Sequence, residues 1–150
     1  MAISQAMCTS FKVEILDGIH AFGTSVVRAS TAADTFKIAL YTSSATLGAS
    51  TTAYTTSNEV VSGGGYTTGG NTLTISTAPT STSTTAYLSF ANTTWSAATI
   101  TANGAMIYNS TQSNKAVAIL AFGGDKTSTA GDFTIVFPTA DASNAIIRIA

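Results

Sequence analysis

Asp34-Thr35-Phe36-Lys37-Ile38-Ala39-Leu40-Tyr41 is the stretch on which the fold turns. Phe36, Ile38 and Leu40 alternate with Lys37, Ala39 and Tyr41, the period of two that a strand shows when one face lies in a core. Toward the C-terminus the same signal recurs in short pieces. Leu73 and Ile75 share a face, and Pro79 is expected to help stop that strand because it cannot donate to a ladder. Leu88 and Phe90 share a face of the next strand. Ala98 to Tyr108 alternates through Ile100 and then slips at Gly104, which reads as a bulge. Ala116–Phe122 is apolar on both faces and reads as a central strand. Phe133, Ile135 and Phe137 alternate with Thr134 and Val136 until Pro138 closes the strand. Ile147 and Ile149 are expected to face inward and Arg148 outward. The linking stretches Asn109–Asn114 and Gly123–Gly131, rich in Ser, Thr, Asn, Gly and Asp, read as long hairpin loops, so neighbouring strands are expected to be antiparallel. These readings give an all-β fold: an antiparallel β-sandwich, jelly-roll-like or Ig-like, of seven to eight strands.

Upstream, the period changes. Met7, Phe11, Ile15, Ile19 and Phe22 recur at spacings of three and four, which predicts one N-terminal helix from about Gln5 to Phe22, with Gly18 as an alternative stop. The chain is expected to form a single domain over 1–150, with a helical segment at 1–23 and the sandwich over 34–150. Residues 42–71 form a long polar excursion ending in a glycine cluster at 63–70, expected to be mobile or ordered by a partner.

Composition narrows the function. Only 9% of the 150 residues are Asp, Glu, Lys or Arg, against about 25% in ordinary domains. Ser and Thr, about three residues in ten, cover the surface instead. A net charge of −1 and the lack of any Lys/Arg run offer no field to gather phosphates, so no nucleic-acid partner is expected. No apolar stretch approaches the ~20 residues of a membrane span. Met1 to Cys8 lacks the basic start and apolar stretch of a secretory signal, so the chain is expected to be made in a cytoplasm. Interface cores are depleted of charge, and a nearly neutral chain lacks the repulsion that keeps small domains apart. The composition suits a subunit of a permanent assembly.

Chemistry-bearing residues are few. His20 is the only histidine and pairs on paper with Asp17, but no Gly-x-Ser-x-Gly elbow accompanies it. The plainer reading is a partly buried histidine making a hydrogen bond. Cys8 is the single cysteine, which leaves no disulfide and, with one histidine, no readable zinc site. Asp125 and Asp132 flank Lys126–Gly131 and are the candidates for a calcium loop, weighed against a turn whose carboxylates bond their own backbone. The glycines at 63–70 are not followed by the Lys-Ser/Thr of a phosphate loop. No cofactor and no enzymatic activity are expected. Trp95 reads as packing; Tyr54 and Tyr66, set in the polar excursion, are candidate aromatic anchors at a subunit contact. Met7, Phe11 and Phe22 are candidate docking residues of the N-terminal segment, the alternative being that this segment covers its own sheet.

Four stretches carry a resemblance: Asp34 to Tyr41, Gly65-Tyr-Thr-Thr-Gly-Gly70, Trp95 through the Met-Ile-Tyr-Asn that ends at Asn109, and Lys115 through Pro138. They resemble the small, Thr- and Gly-rich virion structural proteins of tailed phages, particularly marine and cyanobacterial ones. The resemblance covers most of the chain and implies a bacteriophage virion protein, in particular a capsid decoration or cement protein. Such a protein binds the major capsid protein lattice and copies of itself. The alternative is a tail, neck or fibre-associated module that recognises host polysaccharide, which calls for exposed aromatics such as Trp95 or Tyr66 beside acidic residues.

Overall fold

The computed structural model describes residues 2–16, 18–23 and 33–150, and only the backbone of residues 12–14 and 16. In chain order the elements are β1 (Ala6–Met7), α1 (Thr9–Leu16), β2 (Phe36–Tyr41), β3 (Asn71–Thr72), β4 (Ile75–Thr82), β5 (Thr85–Phe90), β6 (Thr93–Asn109), β7 (Lys115–Ile135) and β8 (Ile147–Ile149). Five strands form one sheet in the order β1-β7-β6-β2-β3, and three form a second, β4-β5-β8. Every paired strand is antiparallel. The fold is all-β and sandwich-like, with one short helix.

The alternation read in β2 is real, but both of its faces are used: of its six residues only Lys37 is not buried. β2 lies between β3 and β6, in register from Phe36 opposite Asn109 to Tyr41 opposite Gly104. Phe36 reaches the second sheet, its ring 6.0 Å from that of Phe90, and Phe90 in turn lies 5.8 Å from Phe137. Burying a side chain of this size contributes roughly 1.5–3 kcal/mol. Leu88, Phe90 and Ile147 bring the smaller sheet into the same continuous cluster as Ile38, Leu40, Met106, Ile107 and Ile119.

The largest departure from expectation is the length of β6 and β7. The stretch at Gly123–Gly131 is not a hairpin loop, and 115–122 and 133–137 are not two strands; β7 runs continuously from Lys115 to Ile135 beside β6. The turn signals mark bulges instead. Between the pairs Gly104–Ala121 and Ala102–Lys126, β7 carries three more residues than β6, absorbed where Gly123 and Gly124 take positive φ. The slip expected at Gly104 lies there, with the extra residues on the opposite strand. Smaller bulges sit at Ala97 and Ala130, both at positive φ. A bulge spends Gly, Asn or Ser as a turn does, so composition alone does not separate the two.

Pro79 lies inside β4 rather than ending it. It is tolerated because β4 is an edge strand whose register shifts between Thr77 and Thr80. At the C-terminus Ile147 faces inward as expected, whereas Ile149 is half exposed. The N-terminal helix is shorter than the spacing suggested. It begins at Thr9, after a two-residue strand that pairs with β7, and ends at Leu16; Gly18, at φ 67°, follows as the alternative stop. Helix α1 packs against β7.

Candidate interaction surface

The polar excursion at 42–71 is tied down from within. Glu59 is buried, and its carboxylate accepts hydrogen bonds from the Tyr66 hydroxyl at 2.6 Å, the Tyr54 hydroxyl at 2.7 Å and the Gly69 amide at 2.7 Å. Tyr66 Oη also accepts from the Leu40 amide, which fixes the excursion to β2. Tyr41 donates to the Thr55 carbonyl and Tyr108 to that of Gly69, while the Tyr54 and Tyr108 rings stack at 4.5 Å. Burial, and after it the hydrogen bond to Glu59, pushes the Tyr54 and Tyr66 phenols well above the usual range. Burial, and after it the negative charge of Glu59, pushes Tyr108 up to about 12.

The glycine cluster belongs to this clasp and is ordered by its own chain. Gly63 and Tyr66 exchange backbone hydrogen bonds, Gly64 accepts from the Thr99 amide, and a Cβ on Gly70 would collide with the Ile38 carbonyl. Tyr66 is therefore a core residue, 2% exposed, and Tyr54 is half-buried with its hydroxyl committed to Glu59. Neither stands free as an anchor for a neighbour.

The N-terminal candidates are likewise spent internally. Phe11 is fully buried, and the Phe22 ring stacks on Phe36 at 4.2 Å. Met7 lies in β1 opposite Ala118 and packs against the core. Of the two readings of this segment, the one realised is that it covers its own sheet. Asp17 lies outside the described residues. His20, half-buried, has Nδ1 3.0 Å from the Asn109 amide nitrogen, which donates to Asp34 Oδ2 at 2.8 Å. An amide relays no proton; this network ties the chain at Ala21, whose amide also donates to Asp34, to the turn after β6. Trp95 is buried.

Asp125 and Asp132 are not brought to a common centre. Asp125 accepts from the Asn103 side chain and Asp132 from the Ala97 amide, both across the β6–β7 ladder. Because 126–131 is strand and not loop, its carbonyls do not converge. Among the described residues no group of three or more His, Cys, Asp or Glu forms a metal cage.

What the molecule leaves open lies along β7. On its outer side β1 pairs only with Ala118 and Ile119, so from Leu120 to Ile135 that edge meets no other strand among the described residues. Beside it runs a groove of about 550 Å³, lined by Leu120, Phe122, Phe133, Ile135, Val136, Phe137 and Ile146, with Lys126 and Asp132 among its polar residues. Val136 is 71% exposed. The far wall is held by Asn92, which accepts from the Phe137 amide, and by Asp141, which caps the turn before Ile146 through the Ser143 and Asn144 amides. Hydrogen bonds from Asn144 and Ser143 hold the Asp141 carboxyl below the usual carboxylate range. Neither the open edge nor the groove was read from sequence; the one available signal was Val136, an apolar residue on the polar side of an alternating strand.

The chain matches no protein-family model, no curated protein and no solved structure.

Proposed function

We propose that this chain is a structural subunit of a tailed-phage virion, a capsid decoration or cement protein that binds the major capsid protein lattice and stabilises the head. The observation that carries this reading is a surface nearly free of charge, covered by Ser and Thr, joined to an open strand edge with an apolar groove along it. Such a surface offers adhesion: backbone groups for strand addition, apolar side chains for packing, and little charge to desolvate. The resemblance of the four stretches to virion proteins points the same way. In this reading the chain is made in the host cytoplasm, resides in the virion, works without a cofactor and is no enzyme.

The reading of a tail, neck or fibre module that binds host polysaccharide has less support, since Trp95 and Tyr66, the aromatics it would display, are both buried. Copy number in purified particles tests the proposal. Band intensity comparable to that of the major capsid protein is expected. A few copies per particle would point to the tail, and absence from particles would overturn the virion reading altogether.

A further inference from the structure

We infer that two copies of this chain pair through the outer edge of β7, antiparallel about a two-fold axis near Thr129. This goes beyond the proposed function and stands whether or not the chain resides in a virion.

An unpaired edge carries backbone donors and acceptors that only another extended chain can satisfy in series. Bulges at Gly123–Gly124 and at Ala130, and the lysine at 126, guard this edge against indiscriminate pairing. What remains acceptable is a strand whose charges match, and β7 matches itself. With the axis on Thr129, Lys126 lies opposite the second copy's Asp132, and Asp132 opposite the second copy's Lys126. Both side chains are exposed, and neither forms an ion pair within its own chain among the described residues. Between them, Thr127 faces Gly131 and Ser128 faces Ala130, side chains small enough for close approach. The same register carries the exposed Val136 of one copy toward Phe122 in the groove of the other. One alignment thus satisfies charge and apolar complementarity together, and opposite charges facing each other across strands are stabilising where like charges are not. A two-fold contact of this kind closes at two copies and propagates no fibre.

The test uses the purified full-length chain in sedimentation velocity, without particles. A dimer is expected at micromolar concentrations. Lys126→Asp or Asp132→Lys alone sets like charges opposite each other twice per dimer and is expected to weaken association about tenfold. The double exchange Lys126→Asp/Asp132→Lys is expected to restore it. Val136→Asp, on an exposed side chain, is expected to abolish the dimer while leaving the circular dichroism spectrum unchanged. A chain that stays monomeric, one that polymerises without limit, or a dimer indifferent to these substitutions would overturn the inference. So would a double exchange that fails to restore pairing while the fold is intact. Copy number in particles plays no part in this result, so failure here leaves the virion reading to its own test.

Discussion

Two regions of this molecule are built from the same turn-forming residues and treat their backbone in opposite ways. The excursion at 42–71 folds back on β2, and its hydroxyls and amides converge on one buried carboxylate, Glu59. The outer side of β7 has comparable chemistry, with glycines at 123 and 124 and a run of Thr and Ser, yet past Ile119 no strand among the described residues takes up its hydrogen bonds. What separates them is an acceptor placed inside. Polar, glycine-rich sequence becomes structure where a buried group gathers its donors, and becomes an interface where none does.

The sharpest way to break that contrast is to remove the acceptor. Glu59→Ala leaves two tyrosine hydroxyls and the Gly69 amide without their partner, and a buried group left unsatisfied costs about 1–3 kcal/mol. We expect a loss of about 3–5 kcal/mol in urea denaturation, with Glu59→Gln recovering part of it because an amide oxygen still accepts. A loss under about 1 kcal/mol would mean that the excursion is held by something other than Glu59.

The glycines give a second comparison, smaller in effect. A Cβ at Gly70 would lie 1.8 Å from the Ile38 carbonyl oxygen, at a φ of 67°, so backbone must move against backbone. Gly70→Ala is expected to cost about 3 kcal/mol or more. At Gly123 a Cβ meets nothing within 4 Å, and the strain of φ 73° remains alone. Gly123→Ala is therefore expected to cost about 1–2 kcal/mol, the left-handed penalty by itself. Thermal unfolding of the two variants side by side measures the difference; equal losses would show that the clasp is no tighter than the open edge.

The same contrast governs what the sequence revealed. Period-two alternation in Phe36–Tyr41 and in Thr85–Phe90 was legible because burial writes itself into side-chain type. So was the change of period before residue 23, although the helix closed at Leu16 and left Phe22 to stack as an isolated ring. The bulges of β7 were illegible as strand, since Gly123-Gly124 and Thr127-Ser128-Thr129 satisfy every local signal for a turn. Pro79 misled for a related reason: a breaker in a central strand is harmless on an edge, and edges are decided by topology. Tyr54 and Tyr66 looked like surface anchors because their neighbours are polar. Their hydroxyls needed a long-range acceptor five to seven residues away in sequence but folded beneath β2, and a lone Glu59 in a chain with seven acidic residues gave no hint of that role. The interaction surface was the least legible part, because it consists of hydrogen bonds not made.

Alkaline titration gives the gentlest probe, silent at neutral pH. Burial is the largest cause holding the Tyr41, Tyr54, Tyr66 and Tyr108 phenols above their usual value near 10, with Tyr108 at about 12. A folded-state pKa above the unfolded one means that the folded chain keeps protons the unfolded chain has released. The stability this contributes is complete below pH ~10 and is lost as pH climbs through the folded values. Denaturation midpoints are therefore expected to hold steady up to about pH 10 and fall steadily above it, with tyrosinate absorbance from these residues appearing together with unfolding. Glu59→Gln should lessen the fall, because its charge adds to the rise at all four phenols while burial stays in place. If tyrosinate instead appeared near pH 10 with the fold intact, the hydroxyls around Glu59 would be reachable by water, and the distinction between a sealed clasp and an open edge would fail at its inner half.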